Sequence, residues 1–111
     1  MGNEIKTWLE DINQAINEII SFLPDRKDFF EFKKDLKGKR AIERNLEIIG
    51  EAVNRILKVQ PDFPLENARK IVDTRNRISH GYDTVSDEII WAIIVRDLEK
   101  LKEDVVELLK E

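Results

Sequence analysis

The chain has 111 residues, 41% of them apolar and 38% charged, with no cysteine and a formal net charge of -4. That length supports one hydrophobic core and not two, the composition is that of a folding chain, and the missing thiols exclude a disulfide framework and a thiolate zinc site. The acidic balance excludes nucleic-acid coating by bulk positive charge, and no apolar run approaches the roughly 18 residues of a membrane span, so a cytoplasmic protein without a membrane partner is expected.

Taken in chain order, Ile5, Trp8, Ile12, Ala15 or Ile16, Ile19 and Leu23 recur at spacings of three and four. They predict an amphipathic helix over 4–23, capped by Asn3 and stopped before Pro24. The following DRKDFFEFKKDLKG is less periodic. Its Phe29, Phe30 and Phe32 are expected to plug one end of the core from a short helix or turn that Gly38 closes. Residues 26–40 hold seven basic and three acidic side chains, a candidate basic face or a solvated helix surface. Ile42, Leu46, Ile49, Val53, Ile56 and Val59 predict a second long helix over 39–60, ended by Pro61 and Pro64. Gly50 lies inside it, where glycine costs about 1 kcal/mol relative to alanine, which implies close approach by another helix.

A third long helix is expected from Leu65 to Ser79, closed by Gly81 in the left-handed conformation. Ser86 reads as the cap of the fourth, with Asp87 and Glu88 in its positively polarised first turn. Ile90, Ile94, Leu98, Leu101, Val105 and Leu108 carry that helix almost to the end. No stretch alternates with period two and no hairpin turn occurs. The expected fold is therefore all-α, a single domain over 1–111 built as an up-down bundle of four long helices with one short additional helix or turn.

The chemistry concentrates in DTRNRISHGYD, residues 73–83, which contain the single histidine, His80. Leu65, Ala68, Ile71 or Val72, and Ile78 define the inward stripe of the third helix, and Arg75 falls on that stripe. A guanidinium cannot shed its charge when desolvated, so it must meet a carboxylate or line a polar cleft. Glu47 and Glu51 of the second long helix are the candidate partners. His80, at the end of the same helix, has a reference pKa of about 6.5 and can exchange a proton near neutrality, while an adjacent arginine can hold a phosphate. Such a pair suits RNA cleavage, in which the ribose 2′-hydroxyl is the nucleophile, and Asn76 would orient the backbone or the phosphate. One histidine fills one proton role, and a two-fold dimer would supply two around a shared groove. No triad, no phosphate-cradling glycine loop, no metal-ligand spacing and no aromatic stacking platform accompanies these residues. Trp8, Trp91 and the phenylalanines read as core or dimer-interface groups, not as base-stacking surfaces. Neither a metal nor a cofactor is expected.

R-N-R-I-S-H at 75–80, followed by Gly81 and Tyr82, resembles the signature of HEPN domains, in particular the HepT-like family paired with minimal nucleotidyltransferases. RAIERNLEIIGEAVNRI at 40–56 is similar to that family's second helix with its I-G-E-A core. The likeness spans nearly the whole chain, and the motif shows no departure from the family pattern. The resemblance implies a homodimeric, metal-independent ribonuclease that acts on RNA as the toxin of a toxin-antitoxin pair. Arg75 and His80 would then be catalytic and Asn76 supporting, and Tyr82 would be adenylylated by a cognate nucleotidyltransferase antitoxin. A different class of reading stays open, in which a non-catalytic dimeric module binds a nucleotide or the nucleotidyltransferase and Arg75 is a structural ion-pair residue. A plain scaffold bundle is the third.

Overall fold

A computed structural model of the chain describes residues 2–23, 28–65, 68–79 and 86–111. Helix α1 spans Asn3–Phe22, α2 Phe29–Lys34, α3 Leu36–Val59 and α4 Ala68–Ser79. Helix α5 (Asp87–Ala92) passes through a π-helical turn at Ile93–Asp97 into α6 (Leu98–Leu109). The architecture is the expected all-α bundle: α1, α3, α4 and the α5–α6 rod are the long members, and α2 is the short one. None of the described helices is long and apolar enough to cross a membrane.

Helices α1, α3 and the last rod bury most of the stripe that their periodicity marks, although Val59, expected to end the α3 stripe, is exposed. Ile5, Leu9, Ile12, Ile16 and Ile19 of α1 meet Ile42, Leu46, Ile49, Val53 and Ile56 of α3 in one cluster, closed by Ile90, Ile94, Leu98, Leu101 and Val105 from the last rod. Full burial of one such side chain contributes about 1.5–3 kcal/mol, so this shared stripe, and not helix propensity, holds the bundle. Helix α1 packs on α3 and α6, and α3 also carries α2 and α4. The α1 stripe differs from expectation at one point. Leu9 is fully buried and Trp8 only partly so, because spacings of four, three, four and three from Ile5 pass through Leu9 and leave Trp8 on the flank.

The helix ends bring further corrections. Asn3 is the first helical residue of α1 rather than its cap; Gly2 takes the cap position, and its carbonyl accepts from the Lys6 N–H at 3.1 Å. Gly38 does not close the phenylalanine segment but lies in the first turn of α3, where its N–H donates to the Asp35 carboxylate at 3.0 Å. Asp35 is thus an N-cap, and a Cβ at position 38 would collide with that carboxylate. Phe32 is buried and rings with Trp91 at 5.2 Å between centroids, whereas Phe30 stays 70% exposed and plugs nothing. Leu65, near which the third helix is expected to begin, is buried but not helical, and the described helix runs from Ala68. Gly81 and the side chains of Ala68 and Ile78 lie outside the described residues. Of the basic stretch 26–40, Lys39 pairs with Asp87 at 3.3 Å and Arg40 with Glu43 at 3.2 Å, so part of its charge is absorbed locally.

Ser86 caps α5 as expected, its hydroxyl accepting from the Ile89 N–H at 3.2 Å. Ser86→Ala should therefore lower stability by about 1 kcal/mol, read from chemical denaturation; an unchanged midpoint would show that the cap contributes nothing. The widened turn at Ile93–Asp97 carries Ile93, Ile94, Asp97 and Leu98 to the interior together. There the Asp97 carboxylate meets Lys70 Nζ of α4 at 3.1 Å, tying α4 to the last rod.

Candidate functional site

Arg75 sits where α4 crosses α3, and the crossing is made possible by Gly50. A Cβ at position 50 would overlap the Cβ of Arg75 and stand 3.3 Å from the carbonyl oxygen of Ile71. The glycine thus permits the close approach that its mid-helix position implied, and it brings the backbone of α4 against α3 at the arginine. Carried in this way, the Arg75 side chain is 23% exposed and reaches the Glu51 carboxylate through Nη2. Its Nη1 donates to the Asn76 Oδ1 at 2.6 Å. Of the two carboxylates proposed as partners, Glu51 makes the contact. Glu47, one turn earlier, pairs with Arg44 at 3.5 Å.

Glu51 is shared. Its Oε1 accepts from the Nε of Arg55 at 3.1 Å while Oε2 faces Arg75. The carboxylate orients the Arg75 guanidinium, and Asn76 fixes its plane from the other nitrogen. Among the described residues these contacts engage two of the five N–H donors of the guanidinium.

Arg75 lines an open cleft of about 300 Å3 between α1, α3 and α4. Helix α1 contributes Trp8 and Asp11, and α3 contributes Arg44, Glu47, Glu51 and Arg55, with Ile48 and Ala52 as its floor. Three guanidiniums and three carboxylates therefore face one another across it. The site is open to solvent and near neutral in sum, not a basic trough.

The sequence singles out Arg75, Asn76, Glu47 and Glu51, and all four lie on the α3–α4 surface around this cleft, with Glu47 on its wall but not on Arg75. His80 and Tyr82 lie outside the described residues. Asp11, Arg44 and Arg55 are charged cleft residues that the sequence reading passes over, and Trp8 is one to which it gives only a packing role. A signal for two of them exists: positions 44, 48, 51 and 55 repeat at four, three and four, a second stripe beside the core stripe of α3. Its polar members point to one surface.

Residues 12–108 match the family model described as ribonuclease HepT-like. The chain is 33% identical to "Probable ribonuclease HepT" of Thermococcus cleftensis, over 92% of this chain and 93% of that protein. It is 34% identical to "Putative RNase TTE0752" of Caldanaerobacter subterraneus subsp. tengcongensis, over 95% of this chain and 94% of that one. Identity to "Putative RNase MJ0127" of Methanocaldococcus jannaschii is 30%, over 97% and 89% respectively. No solved structure matches the chain. An all-α bundle whose fourth helix carries R-N-R-I-S at 75–79, set against an I-G-E-A helix through Gly50 and Glu51, belongs to the ribonuclease HepT-like family.

Proposed function

We propose that this HepT-like protein is a metal-independent endoribonuclease, the toxin of a toxin-antitoxin pair, which cuts RNA at a composite site in a homodimer. Arg75 clamps the scissile phosphate and offsets its developing charge, while His80 transfers the proton. In the cleavage step a base removes the ribose 2′-hydroxyl proton and the 2′-oxygen attacks phosphorus. The bond to the 5′-oxygen breaks, and an acid protonates that leaving oxygen. The products are a 2′,3′-cyclic phosphate and a 5′-hydroxyl. Two histidines, one from each protomer, fill the base and acid roles that one cannot. The observation that carries this reading is the first motif residue, Arg75, held by Glu51 and Asn76 on the wall of a solvent-open cleft.

Silencing follows from the same layout. Adenylylation of Tyr82 by a cognate nucleotidyltransferase would put a bulky anion two residues from His80, competing for the arginine that should hold the RNA phosphate. The pairing of Arg75 with Glu51 favours one second reading, a non-catalytic nucleotide- or nucleotidyltransferase-binding dimer in which the arginine is a strut.

The test is His80→Ala assayed on single-stranded RNA with a chelator present. A loss of about 10²–10⁴-fold, with cyclic phosphate ends from the wild-type protein, is expected. Cleavage by the variant at the wild-type rate, or no wild-type cleavage under chelation, would leave the binding module standing.

A further inference from the structure

We infer that the cleft beside Arg75 is a nucleotide subsite, in which one base of single-stranded RNA stacks on Trp8 while Arg44 and Arg55 take the adjoining phosphates. The inference rests on the ribonuclease reading and adds to it where the strand lies beyond the scissile bond.

Three observations carry it. Trp8 packs on the core from the half-buried flank of the α1 stripe, and it forms one wall of the cleft that Arg75 also lines. An indole on the wall of an open cleft would serve any base, since stacking does not depend on base identity. The two flanking arginines are mobile in charge: the Arg44 and Arg55 side chains are 72% and 56% exposed, and their partners Glu47 and Glu51 lie on their own helix. Exposed pairs of this type contribute little stability, so a phosphate can displace the carboxylates at small cost. Arg75, by contrast, is held from two sides and stays in place for the reacting phosphate.

Size and lining agree with one nucleotide. About 300 Å3 is at the lower bound of small-ligand sites, too small for a duplex and adequate for a base with its sugar. Asp11, Glu47 and Glu51 on the rim would accept N–H donors of a base edge once the arginines have turned to phosphate. The neutral sum of the cleft explains how an acidic chain engages RNA: through a local aromatic and three guanidiniums, without a basic surface.

The structure also supplies a clean probe. Trp91, the only other tryptophan, is packed against Phe29 and Phe32 away from the cleft. A Trp91→Phe protein therefore reports Trp8 fluorescence alone. The experiment titrates it with a 2′-O-methylated single-stranded oligoribonucleotide, which the 2′-hydroxyl chemistry cannot cut, and follows binding independently by anisotropy of an end label. Quenching of Trp8 that saturates with the anisotropy is expected. In the native-tryptophan background, Trp8→Ala should raise KM for cleavable RNA about tenfold with kcat little changed, and Trp8→Phe should largely restore it. Arg44→Ala and Arg55→Ala, both at exposed positions that do not endanger folding, should each flatten the salt dependence of binding by about one unit of slope. RNA that binds and is cut with Trp8 unquenched and both salt slopes unchanged overturns the subsite and leaves the ribonuclease reading intact. RNA that neither binds nor is cut overturns both. Quenching by adenosine monophosphate with none by RNA assigns the cleft to free nucleotides and likewise overturns the proposal.

Discussion

Arg75→Ala should abolish RNA cleavage and leave the bundle folded. The two effects differ in size by physical necessity. Arg75 is 23% exposed and Glu51 37%, so removing the guanidinium strands no buried charge, and Glu51 keeps Arg55 as a partner. The stability lost is that of a partly exposed pair, about 1 kcal/mol or less. A donor aimed at charge that develops in the transition state is worth far more, about 10²–10³-fold in rate. Arg75→Lys should rescue poorly, because an ammonium cannot face Glu51 and Asn76 from two nitrogens and still present donors to a phosphate. The measurements are initial cleavage rate and thermal unfolding on the same samples. If the variant melts as the parent does and still cuts at the parent rate, Arg75 is a strut and the catalytic assignment fails.

That Arg75 faces a cleft is legible in the sequence, since a permanent charge on an apolar helical stripe has few other outcomes. Which carboxylate it meets is not. Glu47 and Glu51 are one turn apart on the same face of α3, and the choice is set by where α4 crosses, a point fixed by the absent side chain of Gly50. The long helices follow from periodicity because burying a stripe is what stabilises them. Their ends were less readable where two signals competed. Gly38 reads as a stop, yet Asp35 three residues earlier captures its N–H and makes it a start. The π turn left no mark in IIVRD, whose apolar spacing fits an unbroken helix equally well; its effect appears only in the inward placement of Asp97 against Lys70. Trp8 packs on the core from the flank of the α1 stripe, not from its centre, for a related reason. Spacings of three and four fit either Trp8 or Leu9, and only packing against α3 separates them.

The strongest claim about that packing concerns Gly50, and Gly50→Ala is the substitution that tests it. In an ordinary helix this change stabilises by about 1 kcal/mol, because alanine loses less backbone freedom. Here the added methyl meets the root of the Arg75 side chain, with Arg75 Cγ 2.8 Å away and the Ile71 carbonyl oxygen 3.3 Å away. None of these is the free end of a flexible chain, so relief requires α4 itself to move. Overpacking of that kind costs about 1–3 kcal/mol and can exceed the propensity gain. The expected result is a lower melting temperature together with loss of cleavage, since a 1 Å displacement of a positioned group can cost about 10²-fold in rate. The combination is diagnostic. A residue remote from any substrate would disable the enzyme by pushing its arginine off the Glu51–Asn76 cradle, and the loss should appear at temperatures where the variant is fully folded. A Gly50→Ala protein that melts higher than its parent and cleaves RNA as fast would mean that α3 and α4 do not approach closely at this point. The placement of Arg75 would then have to be explained without Gly50.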